Sequence, residues 1–150
     1  PHKPTVFEAI HDLQDTVVPM GGAPVINAHE YWRGGYSYIY MSRNRVLDWN
    51  KPSFTIQASG RQTSIHPKAP KMIKVKKDVF MFNPDGLDLY RRLSARECAR
   101  IQTFPDDFDF KYQTLNDAYK MIGNAVPVNL AYHIALSIRN VIEFLPEVRH

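Results

Sequence analysis

Apolar positions recur every three to four residues in three stretches of the chain and alternate with polar ones in two others. Val6, Ala9, Ile10 and Leu13 share one helical face. Thr5 stands where an N-cap belongs and Glu8 lies three residues on, so the pattern predicts a short helix from Thr5 to Leu13. Leu115, Ala118, Tyr119 and Ile122 repeat the arrangement behind Thr114 and Asp117. Gly123 is expected to stop that helix in the left-handed conformation. Pro127 fits the first position of a last helix. Its stripe is Ala131, Ile134, Ala135, Ile138, Val141, Ile142 and Leu145, ending at Pro146. Period-two alternation marks Ser53–Ser59, with Phe54, Ile56 and Ala58 on one face and Thr55, Gln57 and Ser59 on the other. A second alternation runs from Met72 to Lys77, and a strand from Val79 to Phe82 is expected to follow. Tyr36–Met41 is dense in strand formers. Pro19–Pro24 is rich in breakers, and Pro84-Asp85-Gly86 reads as a turn.

A further helix has its start and stop written into Arg91–Phe108. Ser94 and Glu97 form a capping box, and Leu93 and Cys98 flank it at staple spacing. Pro105 is expected to end the helix. Its charged residues Arg96, Glu97 and Arg100 are either a solvated face or a structural bracket, and the bracket is favoured. The overall reading is an α+β fold: a strand-rich middle followed by C-terminal helices.

With 150 residues, 44% hydrophobic and 12% aromatic, the chain has material for one folded domain with a core. No single apolar run reaches membrane-spanning length, and no secretory signal is seen. One cysteine, Cys98, excludes an internal disulfide, and no Cys/His cluster has zinc spacing, so no metal site is expected. A reducing, cytoplasmic setting fits best. Cys98 lies inside a helix and reads as a packing thiol, not a nucleophile.

Charge changes the picture more than composition. Tyr31–Lys77 holds ten Lys/Arg against one acid, Asp48, a net +9 that leaves −5 for the rest of a chain totalling +4. Such a local excess suits a surface that tracks phosphates. Within it, Arg43 and Arg45 stand two residues apart, and Arg61 with Gln62 follows Gly60. An arginine fork matches the O6/N7 edge of guanine in the major groove. The same forks also suit phosphates, and the residues alone leave that choice open. His29, Trp32, Trp49 and the tyrosines at 36, 38 and 40 read as packing rather than base-stacking groups.

The stretch Arg91-Arg92-Leu93-Ser94-Ala95-Arg96-Glu97-Cys98-Ala99-Arg100-Ile101-Gln102-Thr103-Phe104-Pro105-Asp106 resembles motif IX of the cytosine-5 DNA methyltransferases. Gly123-Asn124-Ala125-Val126-Pro127 resembles motif X of the same family. From Asn27 to Asn140 the chain is similar to the GGCC-specific restriction-modification methyltransferases. The matching words include Ser42-Arg43-Asn44-Arg45-Val46, Phe54–Gln62 and His66-Pro67-x-Ala69-Pro70. The resemblance implies a C-terminal portion of a larger enzyme. Residues 1–26 would be a linker and short helix, 27–113 a target-recognition domain that includes motif IX, and 114–150 the motif X helices. The last helix would belong to a Rossmann-like catalytic domain. Partners implied are double-stranded DNA and an N-terminal catalytic half. The cofactor implied is S-adenosylmethionine, with Asn124, Ala125 and Val126 beside it. By the same resemblance Arg43, Arg45 and Arg61 would read guanines in GGCC or a related site.

The family's Pro-Cys-Gln, Glu-Asn-Val and Gly-rich Phe-x-Gly-x-Gly words do not occur in this sequence, so no catalytic residue is expected in it. In the complete enzyme the target cytosine would be flipped from the duplex and attacked by that absent cysteine. A natural subunit of a split methyltransferase and a non-catalytic DNA-binding module are the alternatives. In isolation the last helix is expected to fold back on the recognition domain or to pair with a second copy.

Overall fold

A computed structural model describes residues 2–144. Three helices begin at the capping boxes that local sequence predicts. In α1 (Val6–Ile10) Thr5 and Glu8 cap each other, in α2 (Ala95–Ile101) Ser94 and Glu97 do, and in α3 (Leu115–Asn124) Thr114 and Asp117 do. α4 (Val128–Phe144) follows Pro127. β1 (Val18–Pro19) pairs in parallel with β2 (Glu30–Tyr31). β3 (Ile73–Lys76) and β4 (Val79–Met81) form an antiparallel hairpin with a register shift between Lys74 and Lys76. The class is α+β.

The larger core joins Val6, Ile10 and Leu13 of the first helical segment to Leu93, Cys98 and Ala99 around α2 and to Leu115, Ala118, Tyr119 and Ile122 of α3. These last four are the stripe that the periodicity picks out. A smaller core gathers Tyr40, Val46, Ile65, Ala69 and Met72. His29 is fully buried, and Trp32 and Trp49 pack against the larger core.

Several local expectations are overturned. The middle carries fewer strands than its composition suggests. Tyr36–Met41 is no strand; a 3₁₀ turn spans Tyr40–Ser42. The rings of Tyr36 and Tyr40, four apart, instead turn to the same charge, with the Arg92 guanidinium 4.1 and 5.1 Å from their centroids. Aromatic β-propensity loses to that tertiary contact. Ser53–Ser59 is non-helical but joins no ladder. α1 stops at Ile10, before Leu13.

α2 ends before Pro105 acts. Thr103 adopts φ 60°. Its N–H donates to the Arg100 carbonyl and that of Phe104 to the Ala99 carbonyl, both at 2.9 Å, which is a Schellman motif with threonine where glycine is usual. Gly123 is not the left-handed stop of α3. That helix runs on to Asn124 and is ended by Ala125, whose backbone is extended (φ −76°, ψ 150°). Val126, directly before Pro127, is biased away from helix in any case.

α4 does not fold back. It has no buried residue, and Ile134, Ile138, Val141 and Ile142 are 48–63% exposed. The short turn aims it away from the core, and it is tied only at its start, where Val128 N–H donates to the Gln102 carbonyl and Asn129 N–H to Thr103 Oγ1. Leu145 and Pro146 lie outside the described residues. Taken together, Leu115–Phe144 is long and apolar enough to cross a membrane by length and composition, with a mean hydropathy of 1.2 over an 18-residue window. The break between α3 and α4 at residues 125–127 argues against one continuous span.

Candidate nucleic-acid interface

The interface rests on a charged bracket built around α2. Glu97 is fully buried. It closes the capping box, accepting the Ser94 N–H at 2.8 Å, and it takes both arms of the Arg91 fork at 2.7 and 2.8 Å. Burial alone would raise its pKa; the Arg91 fork and charge outweigh burial and hold the carboxyl below its ordinary value. His29 Nε2 lies 2.8 Å from the Leu13 carbonyl, so it donates there, and Nδ1 accepts from Ser94 Oγ.

Arg96 is fully buried and donates to the carbonyls of Asn27 and Phe108 and to Asn27 Oδ1. Arg92, equally buried, donates to the carbonyls of Gly34 and Gly35. Arg100 pairs with Asp12 and Asp106. Burial of Arg96 and Glu97 sets the solvated-face reading aside for those two, while Arg100 is half-buried and pairs with two exposed acids. Cys98 is buried, and burial with the neighbouring Glu97 charge pushes its thiol well up, as suits a packing residue.

His66 sits against this bracket, with Nε2 3.6 Å from Glu97 Oε1 and without a hydrogen-bond partner. Burial outweighs the pull of Glu97 and lowers its pKa to about 4. Burial lowers His29 as well. The unfolded chain therefore binds protons near pH 6.5 that the folded chain refuses. Stability is full above that pH and falls as pH drops towards the His66 value of about 4, with His29 acting in the same direction. Urea unfolding at pH 7 and pH 5 checks this, and a midpoint that rises on acidification contradicts it.

On the bracket lies the basic segment. Arg43, Arg45, Thr55, Gln57, Gln62 and Ser64 line one recess of about 310 Å³, which also touches Ser53 and Phe54. Arg43 is exposed and Gln62 half-buried. Arg45 is 8% exposed. Its Nε donates to the Tyr40 carbonyl at 2.8 Å and one terminal nitrogen to that of Ile39 at 3.1 Å, while its guanidinium lies over the Tyr40 ring. Arg61 is apart from this group. It is exposed at a neighbouring recess with Trp32, Gly34, Gly35, Tyr36 and Ser37. Thus Arg43, Arg45 and Gln62 come together and Arg61 stands beside them. Thr55 and Gln57 join the recess from the polar face of the 53–59 alternation.

The motif X turn is held by Gln102, whose Nε2 donates to the Ile122 carbonyl and whose own carbonyl accepts from Val128. Beside it a cleft of about 540 Å³ runs between α1, residues 52–56, Arg100–Thr103 and the turn. Ala125 lines this cleft. Asn124 and Val126 do not, and both are exposed. Pro4, Val6, Ala9, Pro52 and Ile56 make much of the wall apolar. Thr5, Ser53, Thr55, Arg100, Gln102 and Thr103 supply its polar groups.

An α+β chain thus carries, within a segment of net charge +9, a polar recess lined by two arginines. Its family is defined by sequence. The profile of the C-5 cytosine-specific DNA methylases matches residues 12–140, and the chain belongs to that family. It is 53% identical over 146 residues to the Type II methyltransferase M.NgoPII of Neisseria gonorrhoeae, covering 94% of this chain and 43% of that protein. It is 53% identical over 142 residues to M.FnuDI of Fusobacterium nucleatum, covering 90% and 41%. It is 57% identical over 147 residues to M.MthTI of Methanothermobacter thermautotrophicus, covering 94% and 44%. The chain thus spans less than half the length of these relatives.

Proposed function

We propose that this chain is the target-recognition and motif X part of a DNA (cytosine-5-)-methyltransferase of a restriction-modification system, working in the cytoplasm. It binds double-stranded DNA and selects a short site, GGCC or a relative of it. The observation that carries this reading is the recess where Arg43, Arg45 and Gln62 meet on the +9 segment of a chain from this family. Residues 27–113 form the recognition unit. Residues 114–150 complete a Rossmann-like catalytic domain supplied by the rest of a longer protein. When bound there, S-adenosylmethionine supplies the methyl group. In this chain Ala125 lines one wall of its site, and Asn124 and Val126, outside the cleft, flank it in the same turn. The exposed stripe of α4 is the docking face for the catalytic half, and in isolation it pairs copies of the chain, which sedimentation will detect as a dimer.

The test is binding of the purified chain to duplexes with and without GGCC across a salt series. Affinity is expected to fall with salt, with a log–log slope of about −0.9 for each phosphate neutralised. The chain alone is expected to transfer no labelled methyl group to DNA, because the Pro-Cys-Gln and Gly-rich words do not occur in it. Salt-independent binding contradicts the proposed DNA contact, and methyl incorporation contradicts the assigned division of labour.

A further inference from the structure

We infer that α3 positions the DNA-facing loop 57–62 through Gly123, Tyr119 and Gly60, so that the loop and the motif X turn move as one body. The inference rests on the proposed DNA-binding reading for what the loop does, but the packing stands by itself. The loop presents Gln57, Arg61 and Gln62. No strand ladder fixes it. Its internal bonds, from Gln62 N–H and from Thr63 Oγ1 to the Ser59 carbonyl, close the turn on itself without anchoring it to the body.

The anchor is contact with α3. A Cβ on Gly123 would stand 2.5 Å from Ala58 N and 2.6 Å from Ala58 Cα. These are backbone atoms and cannot swing aside. From the loop side, a Cβ on Gly60 would stand 2.8 Å from Tyr119 Cε2 and 3.0 Å from Trp32 Cβ. Tyr119 cannot retreat, for it is fully buried and its hydroxyl donates to the Leu93 carbonyl at 2.6 Å. The Trp32 main-chain N–H donates to the Tyr119 hydroxyl oxygen at 3.4 Å. Neither glycine has a positive φ, so space alone requires them. Ala125, which lines the large cleft, is two residues beyond Gly123. A shift of that turn is transmitted to the arginine-bearing loop through backbone-to-backbone contact.

Gly60, Tyr119 and Gly123 are therefore positioning residues for target choice. The variants are Gly123→Ala and Gly60→Ala, made in the present chain. Hydrogen exchange of amides 57–62 should accelerate about tenfold or more, while α2 amides keep their protection. The preference for a GGCC duplex over a scrambled one should fall towards unity. The salt slope should stay unchanged, because neither substitution alters charge. If Gly123→Ala does not fold, Gly60→Ala carries the same comparison, since its Cβ meets side chains only. Unchanged loop exchange overturns the inference, as does equal acceleration in α2, which marks a general loss of stability. A wild-type chain with no duplex preference defeats the proposed function instead, and loop exchange then decides the coupling alone.

Discussion

Glu97→Ala is expected to lower folding stability by about 3–5 kcal/mol, the range found when one partner of a buried pair is removed. Three losses coincide in this one substitution. Arg91, whose side chain is only 15% exposed, loses both acceptors of its fork. The buried Ser94 N–H loses the far half of its capping box. A fully buried side chain leaves a void. Against the total of about 5–15 kcal/mol usual for a domain, this removes a large share. Glu97→Gln keeps the volume and one acceptor but leaves the Arg91 charge unpaired, so it should fall between the wild type and the alanine variant. Urea denaturation at pH 7 measures both. An alanine variant within about 1 kcal/mol of wild type would show that the bracket contributes little, as exposed ion pairs do.

Alanine at Arg43, Arg45 and Arg61 is expected to separate three roles. Arg61→Ala should relax discrimination at one base pair at a cost of about 1–3 kcal/mol, with stability unchanged, because its side chain is exposed. Arg43→Ala should either do the same or weaken all sequences alike and flatten the salt slope by about one unit. Arg45→Ala should differ from both. Its guanidinium holds the Tyr40 and Ile39 carbonyls, so losing it should destabilise the chain by about 1–3 kcal/mol and disturb the recess indirectly. The test pairs competition binding on substituted duplexes with a denaturation curve for each variant. If all three leave the preferred site and affinity untouched, recognition lies on another face. If Arg45→Ala relaxes discrimination without loss of stability, Arg45 reads DNA directly, as the family resemblance implies.

The sequence by itself determined what depends on a few neighbouring residues. All three capping boxes formed where Thr5, Ser94 and Thr114 stand three residues before an acid. The stripe of α3 is buried as its period predicts, and the 73–76 and 79–81 strands pair as a hairpin. A long motif also identifies the family, because it samples many such constraints at once. The tertiary structure decided whatever depends on partners far along the chain. Arg92 reaches Gly34 and Gly35 across 58 and 57 residues, and that link turns the tyrosines of a strand-like stretch into a cradle for a cation. Residues 53–59 alternate as a strand does, yet they join no ladder, and Gln57 and Ala58 lie against α3, where Gly123 admits their backbone. Gly123 itself reads as a stop signal and serves as a gap. Arg43 and Arg45 look equivalent two residues apart, but only Arg45 finds carbonyls within reach and is buried. Caps and periodicity are set by backbone geometry over one or two turns, whereas the fate of a charge is set by the acceptors that distant segments bring to it.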